Sequence, residues 1–310
     1  MNLFDLHCDT ATRLYSEKQG FFENSFHVSL KKAEYINKYA QVMAIWTDKR
    51  LSDLQGYERF LAVRENLDNE VKNNCNIIAI ANNSSDLLCL VSGGLTPLIL
   101  AVEDARILEN DIARLHTLHS KGVRVLTLNW YGDTCIGGAH DTQNGLTDFG
   151  KEVVKLCFKL GIIPDVSHCS FKGTLDTIEI AAAANKPIIA SHSDSYSVNP
   201  HSRNLLDSDF LSIAKLGGIV GINLCPEHLE RNGSADISSV LRHIEHYMSL
   251  GGKDTLCMGC DLDGTSLPVG INGIEDIYKI ADEMQKQNYS TELTEKILYK
   301  NAYEFFVKNL

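Results

Sequence analysis

His7 and Asp9 stand two residues apart at the end of a short apolar run, in the stretch Phe4-Asp5-Leu6-His7-Cys8-Asp9-Thr10. On an extended strand, residues i and i+2 project to the same side. An imidazole and a carboxylate emerging together at a strand's end can share one hard-to-borderline metal ion. Alone, the pair would better suit an ordinary surface strand; what closes the later apolar runs decides. Glu103 ends Pro97–Val102, His168 follows Ile162–Val166, His192 follows Pro187–Ala190, and Asp261 follows Leu256–Cys260. Carboxylates crowded at one mouth would repel one another, and a bound dication removes that cost. Two dications would do so more fully, with a glutamate bridging them through its two oxygens. Nitrogen and carboxylate ligands suit zinc first, then iron, manganese or cobalt.

The elements that must carry these residues are strands near Leu3–Leu6, Ala40–Trp46, Pro97–Val102, Val123–Asn129, Ile162–Val166, Pro187–Ala190, Ile219–Leu224 and Leu256–Cys260. Helical stretches such as Asp111–Ser120, Phe149–Leu160, Leu175–Ala184, Asp207–Leu216 and Ile237–Leu250 lie between them. Alternation of strand and helix means parallel strands joined by right-handed crossovers. Eight such strands predict an α/β fold, a closed (β/α)8 TIM-type barrel, whose chemistry sits at the carboxyl ends of its strands. Cys75–Ala81 is an extra strand candidate, and Pro164 sits inside a strand where its missing N–H would cost a ladder bond. After Ile274 two further helices are expected, with Ser290 capping the second. No linker or repeat divides the 310 residues, so one domain over 1–310 is expected.

The net charge of −11 gives no basic field to attract phosphates, which disfavours nucleic acid and anionic membrane as main partners. The nine cysteines are odd in number and scattered, as free thiols in a reducing compartment would be. Cys257-Met258-Gly259-Cys260 has zinc-like spacing but no second pair, and reads as strand. The start carries no signal-peptide pattern and no apolar run spans a bilayer, so a cytoplasmic protein is expected. His116, His119, His243 and His246 lie on helices and read as packing or solvated residues.

The chain resembles the membrane (renal) dipeptidase family, the M19-type metallopeptidases of the amidohydrolase superfamily. The resemblance is carried by FDLHCDT, AVEDA at Ala101–Ala105, GLTDFGKEVV leading into DVSHCS, SHSDSYSV followed by SRN, GGIVGINL, RHIEHY and GCDLDG, in order along nearly the whole chain. It implies that His7 and Asp9 hold one zinc, His168 and His192 the other, and Glu103 bridges them. It implies that Asp261 is the catalytic acid/base, with Asp263 in the turn after it, and that Arg203 grips the substrate's terminal carboxylate, which a guanidinium does with two parallel donors. The family's mammalian members carry a substrate-binding histidine after strand four; Trp130 stands there in this chain, and His140, in the same glycine-rich loop, is a candidate substitute.

A binuclear dipeptidase follows as the expected function, with a metal-bridging hydroxide attacking short free-carboxylate peptides that carry an L- or D-residue at the C-terminal side. The same metals would serve an amidohydrolase acting on N-acyl amino acids, lactones or cyclic amides. From another class, a metal-stabilised binding protein without turnover would need no Asp261. The partner expected is a small peptide, with no nucleic acid and no membrane; a homodimer is allowed.

Overall fold

The computed structural model describes residues 1–310. Nine parallel strands run β1 (Asn2–Cys8), β2 (Lys38–Trp46), β3 (Ile78–Ile80), β4 (Thr96–Glu103), β5 (Val123–Thr127), β6 (Ile163–Asp165), β7 (Ile189–Ala190), β8 (Ile219–Ile222) and β9 (Leu256–Met258). Pairing of β2 with β4 and of β1 with β9 closes a barrel in the order β1-β2-β4-β5-β6-β7-β8-β9. It is the expected eight-stranded parallel barrel, and each expected strand falls on an observed one. The extra candidate forms β3, which lies outside the ring and pairs with the first half of β4.

Helices α1 (Thr10–Glu17), α2 (Asp53–Asn73), α3 (Ser84–Ser92), α4 (Ile112–Ser120), α5 (Asp148–Leu160), α6 (Phe171–Ala184), α7 (Asp207–Lys215), α8 (Pro226–Leu229) and α9 (Ile237–Ser249) follow the strands. The tail forms α10 (Tyr278–Lys286), α11 (Thr291–Glu295) and α12 (Asn301–Asn309), the last two joined by one π-helical stretch, Lys296–Lys300. Ser290 caps α11 as expected, its Oγ accepting the Leu293 N–H at 3.2 Å.

Strands buried on both faces read as near-continuous apolar runs, as Lys38–Trp46 and Thr96–Glu103 do. One apolar cluster draws Phe4, Ala40, Ile99, Val125, Ile163, Ile189, Ile219 and Cys257 from all eight barrel strands, so it fills the barrel's inside. Tyr299 of the π-helical stretch and Phe305 and Phe306 of α12 join it, and Phe306 stacks on Phe4 with centroids 5.2 Å apart. That helix plugs the amino end of the barrel and leaves the carboxyl end for the polar residues. A larger cluster lies between the strands and the outer helices.

Pro164 has a physical account here. The Val166 N–H donates to Ile189 of β7. Two residues earlier, the nitrogen of Pro164 faces the same side, at a level before β7 begins at Ile189. No ladder bond is lost there.

Candidate active site

Every strand of the ring brings its last residues to one mouth, and small local devices decide which of them turn inward. Between Asp5, opposite Gln41, and Cys8, opposite Met43, β1 carries one residue more than β2. This bulge switches the strand's alternation, so that His7 enters the interior while Cys8 joins the outer cluster. On β4 the alternation is unbroken: Ile99 and Ala101 face inward, and Glu103 follows them. Asp104, His168, Asp261 and Asp263, all just past strand ends, adopt left-handed backbone with φ of 79°, 69°, 56° and 70°. Such conformations cost of order 1 kcal/mol or more each outside glycine, and they concentrate where a site needs a side chain re-aimed.

The result is a compact set of donors. Glu103 Oε2 lies 3.3 Å from His7 Nε2, while Oε1 lies 2.9 Å from His168 Nε2 and 3.6 Å from His192 Nε2. His7 Nε2 is also 3.5 Å from Asp9 Oδ2 and 3.9 Å from Asp261 Oδ1. Donor atoms of His7, Glu103 and His192 lie within 4.8 Å of one another, as do those of His7, Asp9 and Asp261. Glu103 thus faces one histidine with one oxygen and two with the other.

The hydrogen-bond network fixes one tautomer. Asp165 Oδ2 accepts the hydroxyls of Thr127 and Ser191, both at 2.6 Å, and Oδ1 accepts the Ser167 and Ser191 N–H groups. With its one proton given to Asp165, the Ser191 hydroxyl can only accept from His192 Nδ1, 2.7 Å away. His192 Nε2 is then left with a lone pair pointing at Glu103 and His168, as metal ligation requires. The two Nε2 atoms of His168 and His192 are 3.0 Å apart, a distance that needs a cation or proton between two lone pairs.

Electrostatics say the same. Burial, reinforced by Asp9, pushes Glu103 up to about 8 against the opposing pull of His7, and burial pushes Asp261 up to about 6. Burial also holds His168 and His192 well below the usual imidazole range, helped by nearby positive charge. For His7 burial works against protonation, but Glu103 and Asp9 outweigh it and hold it well above that range. Burial thus opposes the charged form of the Glu103 and Asp261 carboxyls, a cost that a dication would remove. His7 Nε2 and Asp9 Oδ1 are buried without any hydrogen-bond partner. Orphaned donor atoms of nitrogen and carboxylate type, converging in a buried cluster, fit divalent metal.

Around the cluster opens a cleft of about 440 Å³, lined among others by Asp9, Arg13, Trp46, Arg59, Trp130, His168, His228, Asp261 and Gly264. Trp130 packs edge-on to Trp46, with centroids 4.9 Å apart, and its ring lies 6.5 Å from His168. His140 is brought back toward the site: its ring is 6.0 Å from His168, and Nδ1 lies 3.0 Å from Ser202 Oγ, beside Arg203. Burial and the Arg203 charge lower His140 to about 4, so it is neutral. Arg203 is buried, donates to His192 O at 3.0 Å and Ser193 Oγ at 3.3 Å, and keeps Nε without an acceptor. Asp263 is structural, accepting Thr10 Oγ1 at 2.5 Å and the His27 N–H at 2.7 Å. His243 is structural too, Nδ1 accepting from Ser195 N–H and Nε2 donating to Leu229 O.

The family model of the membrane dipeptidases, peptidase family M19, matches residues 1–308. The chain belongs to peptidase family M19. It is therefore a peptide-bond hydrolase of the metallo-dipeptidase class. It is 30% identical to dipeptidase tcpJ of Claviceps purpurea over 232 residues, 72% of this chain and 53% of that one, so the match spans about half of the fungal protein. The solved metallopeptidase dipeptidase AC, of the same family, superposes with a TM-score of 0.93 at 26% identity, covering 100% of this chain and 98% of that one. A Rhodobacter sphaeroides metallopeptidase, solved with a phosphinate mimic of the dipeptide L-Ala-D-Ala, shares the fold with a TM-score of 0.93 at 24% identity, covering 100% and 99%. No helix is long and apolar enough to cross a membrane.

Sequence reasoning missed Asp165, Asn223, Arg13 and Arg59. Asp165 orients His192, and Asn223 donates to Asp261 Oδ2 at 3.1 Å. Both are polar residues inside apolar runs, whereas Glu103 was found at the end of one.

Proposed function

We propose that this member is a binuclear dipeptidase in which His7 and Asp9 hold one dication, His168 and His192 hold the second, and Glu103 bridges them. The observation that carries the proposal is the split of Glu103, with one oxygen toward His7 and the other toward the His168–His192 pair. Zinc is the first choice for such a donor set. When bound, the ions supply Lewis-acid charge and water acidified to a pKa of about 7.

The chain's own residues do the rest. Asp261, raised to about 6 by burial and held by Asn223, takes the proton of the attacking water and returns it to the leaving amine. Arg203, with Nε free, binds the C-terminal carboxylate, and neutral His140 beside it donates a further hydrogen bond in place of the missing histidine at Trp130. A single carboxylate clamp sets the C-terminal peptide bond over the cluster. All nine cysteines are free, which fits a reducing, cytoplasmic setting.

The Trp46–Trp130 wall favours one second reading, an amidohydrolase that places an apolar acyl group there. Metal-reconstituted protein should be assayed on L-Xaa-L-Xaa and L-Xaa-D-Xaa dipeptides beside N-acyl amino acids. Dipeptide turnover that Asp261→Asn abolishes while metal content stays near wild type supports the proposal. Cleavage confined to N-acyl substrates overturns it.

A further inference from the structure

The cleft has one cationic side chain, Arg59, with no acidic partner in the protein, only Ser16 and the face of the Tyr15 ring 5.9 Å away. Asp9, Glu103 and Asp261 belong to the cation cluster, and Asp263 already accepts from Thr10, His27 and Arg13. Arg13 is committed to Glu17 at 2.8 Å and to Asp263 at 3.3 Å. Arg59 makes one bond, from Nη2 to Ser16 Oγ at 2.7 Å. It forms no ion pair although the chain carries eleven more acidic than basic side chains, and its Nε is buried without an acceptor. Ser16, Arg13, Trp46 and Arg59 form one wall of the cleft.

Topology says which part of a substrate meets that wall. Arg59 lies on α2, which follows β2, and Arg203 lies in the segment after β7. In the ring order, β2 and β7 are four strands apart in either direction, hence opposite one another. The donors of β1, β4, β6 and β7 converge between them. A dipeptide with its C-terminal carboxylate on Arg203 and its scissile carbonyl over the cluster directs its N-terminal residue toward Arg59. Ser16 pins the guanidinium, so its remaining donors are pre-oriented for a planar anion.

We propose that Arg59 is a specificity residue binding an acidic side chain on the substrate's N-terminal residue, so that Glu-Xaa and Asp-Xaa dipeptides are preferred. This rests on the dipeptidase reading above. The test compares kcat/KM of the metal-loaded enzyme for L-Glu-L-Ala and L-Gln-L-Ala, which differ in charge and hardly in shape, with L-Ala-L-Ala as reference. A charge-assisted pair in a half-enclosed cleft should favour the glutamyl peptide by about 10- to 100-fold. In Arg59→Gln, or in Arg59→Met, whichever keeps the wild-type Tm, that ratio should fall to about one. A wild-type ratio within about twofold of one, or a ratio that survives both substitutions, overturns the acidic subsite while L-Ala-L-Ala turnover leaves the dipeptidase reading standing. Failure to cleave all three peptides with full metal loading overturns both.

Discussion

Asp165→Asn should take from His192 the lone pair with which it is proposed to hold a metal. The Asp165 Oδ1 side meets two backbone N–H groups, from Ser167 and Ser191, which cannot turn round. An asparagine must therefore present its carbonyl there and its NH2 to the Thr127 and Ser191 hydroxyls, which now have to accept. The Ser191 proton then goes to the nearer of its remaining neighbours, His192 Nδ1 at 2.7 Å rather than Ser167 Oγ at 3.4 Å. That forces the imidazole proton onto Nε2, the atom facing Glu103 and His168. Re-forming the ligating tautomer leaves a hydroxyl without its proton acceptor. Losing such an outer partner costs about 10- to 100-fold in metal affinity, or about 1.4–2.7 kcal/mol. Chelator competition on stripped protein should show the second equivalent weakened by that factor and the first nearly unchanged, with kcat/KM falling in parallel at limiting metal. Ser191→Ala, which removes the acceptor without imposing a proton, should do less. Wild-type affinity for both equivalents in Asp165→Asn would refute the tautomer logic.

Three further outcomes follow from the geometry. A Cβ at Gly264 would overlap Asp261 Oδ1 and Asp9 Oδ2, so Gly264→Ala should displace both carboxylates and cut kcat/KM by about 100-fold or more with little change in far-UV dichroism. His140→Ala should lower dipeptide kcat/KM about 5- to 10-fold, chiefly through KM, and an unchanged value would remove His140 from the substrate site. Burial raises Asp209 to about 6 in the folded protein against 3.8 for the free group, with Ser208 opposing. The folded state therefore binds the extra proton between those values, and stability falls as pH rises through about 4–6. Asp209→Asn should gain about 1–2 kcal/mol at pH 7–8 and nothing at pH 3.5, read by urea unfolding at both.

Much of this molecule is legible in the residues themselves. Each apolar run at a barrel strand is long enough to be seen, because parallel strands are covered on both faces. Looking for ionisable residues at the ends of those runs finds His7, Asp9, Glu103, His168, His192 and Asp261, which the fold brings to one mouth. A search for any polar residue inside the runs would have found Asp165 and Asn223. The bulge between Asp5 and Cys8 was not legible, because strand alternation alone puts His7 on the wrong face. Arg13 and Arg59 were hidden for another reason: an amphipathic helix announces its apolar face, not which of its polar residues leans over the mouth.

The measurement that bears most directly on the binuclear site is a metal titration of chelator-stripped protein, with hydrolysis of L-Ala-L-Ala followed at each step. Activity that rises to a plateau at two equivalents of Zn2+ per chain is the predicted result. A plateau at one equivalent, or no hydrolysis at saturation, would contradict it.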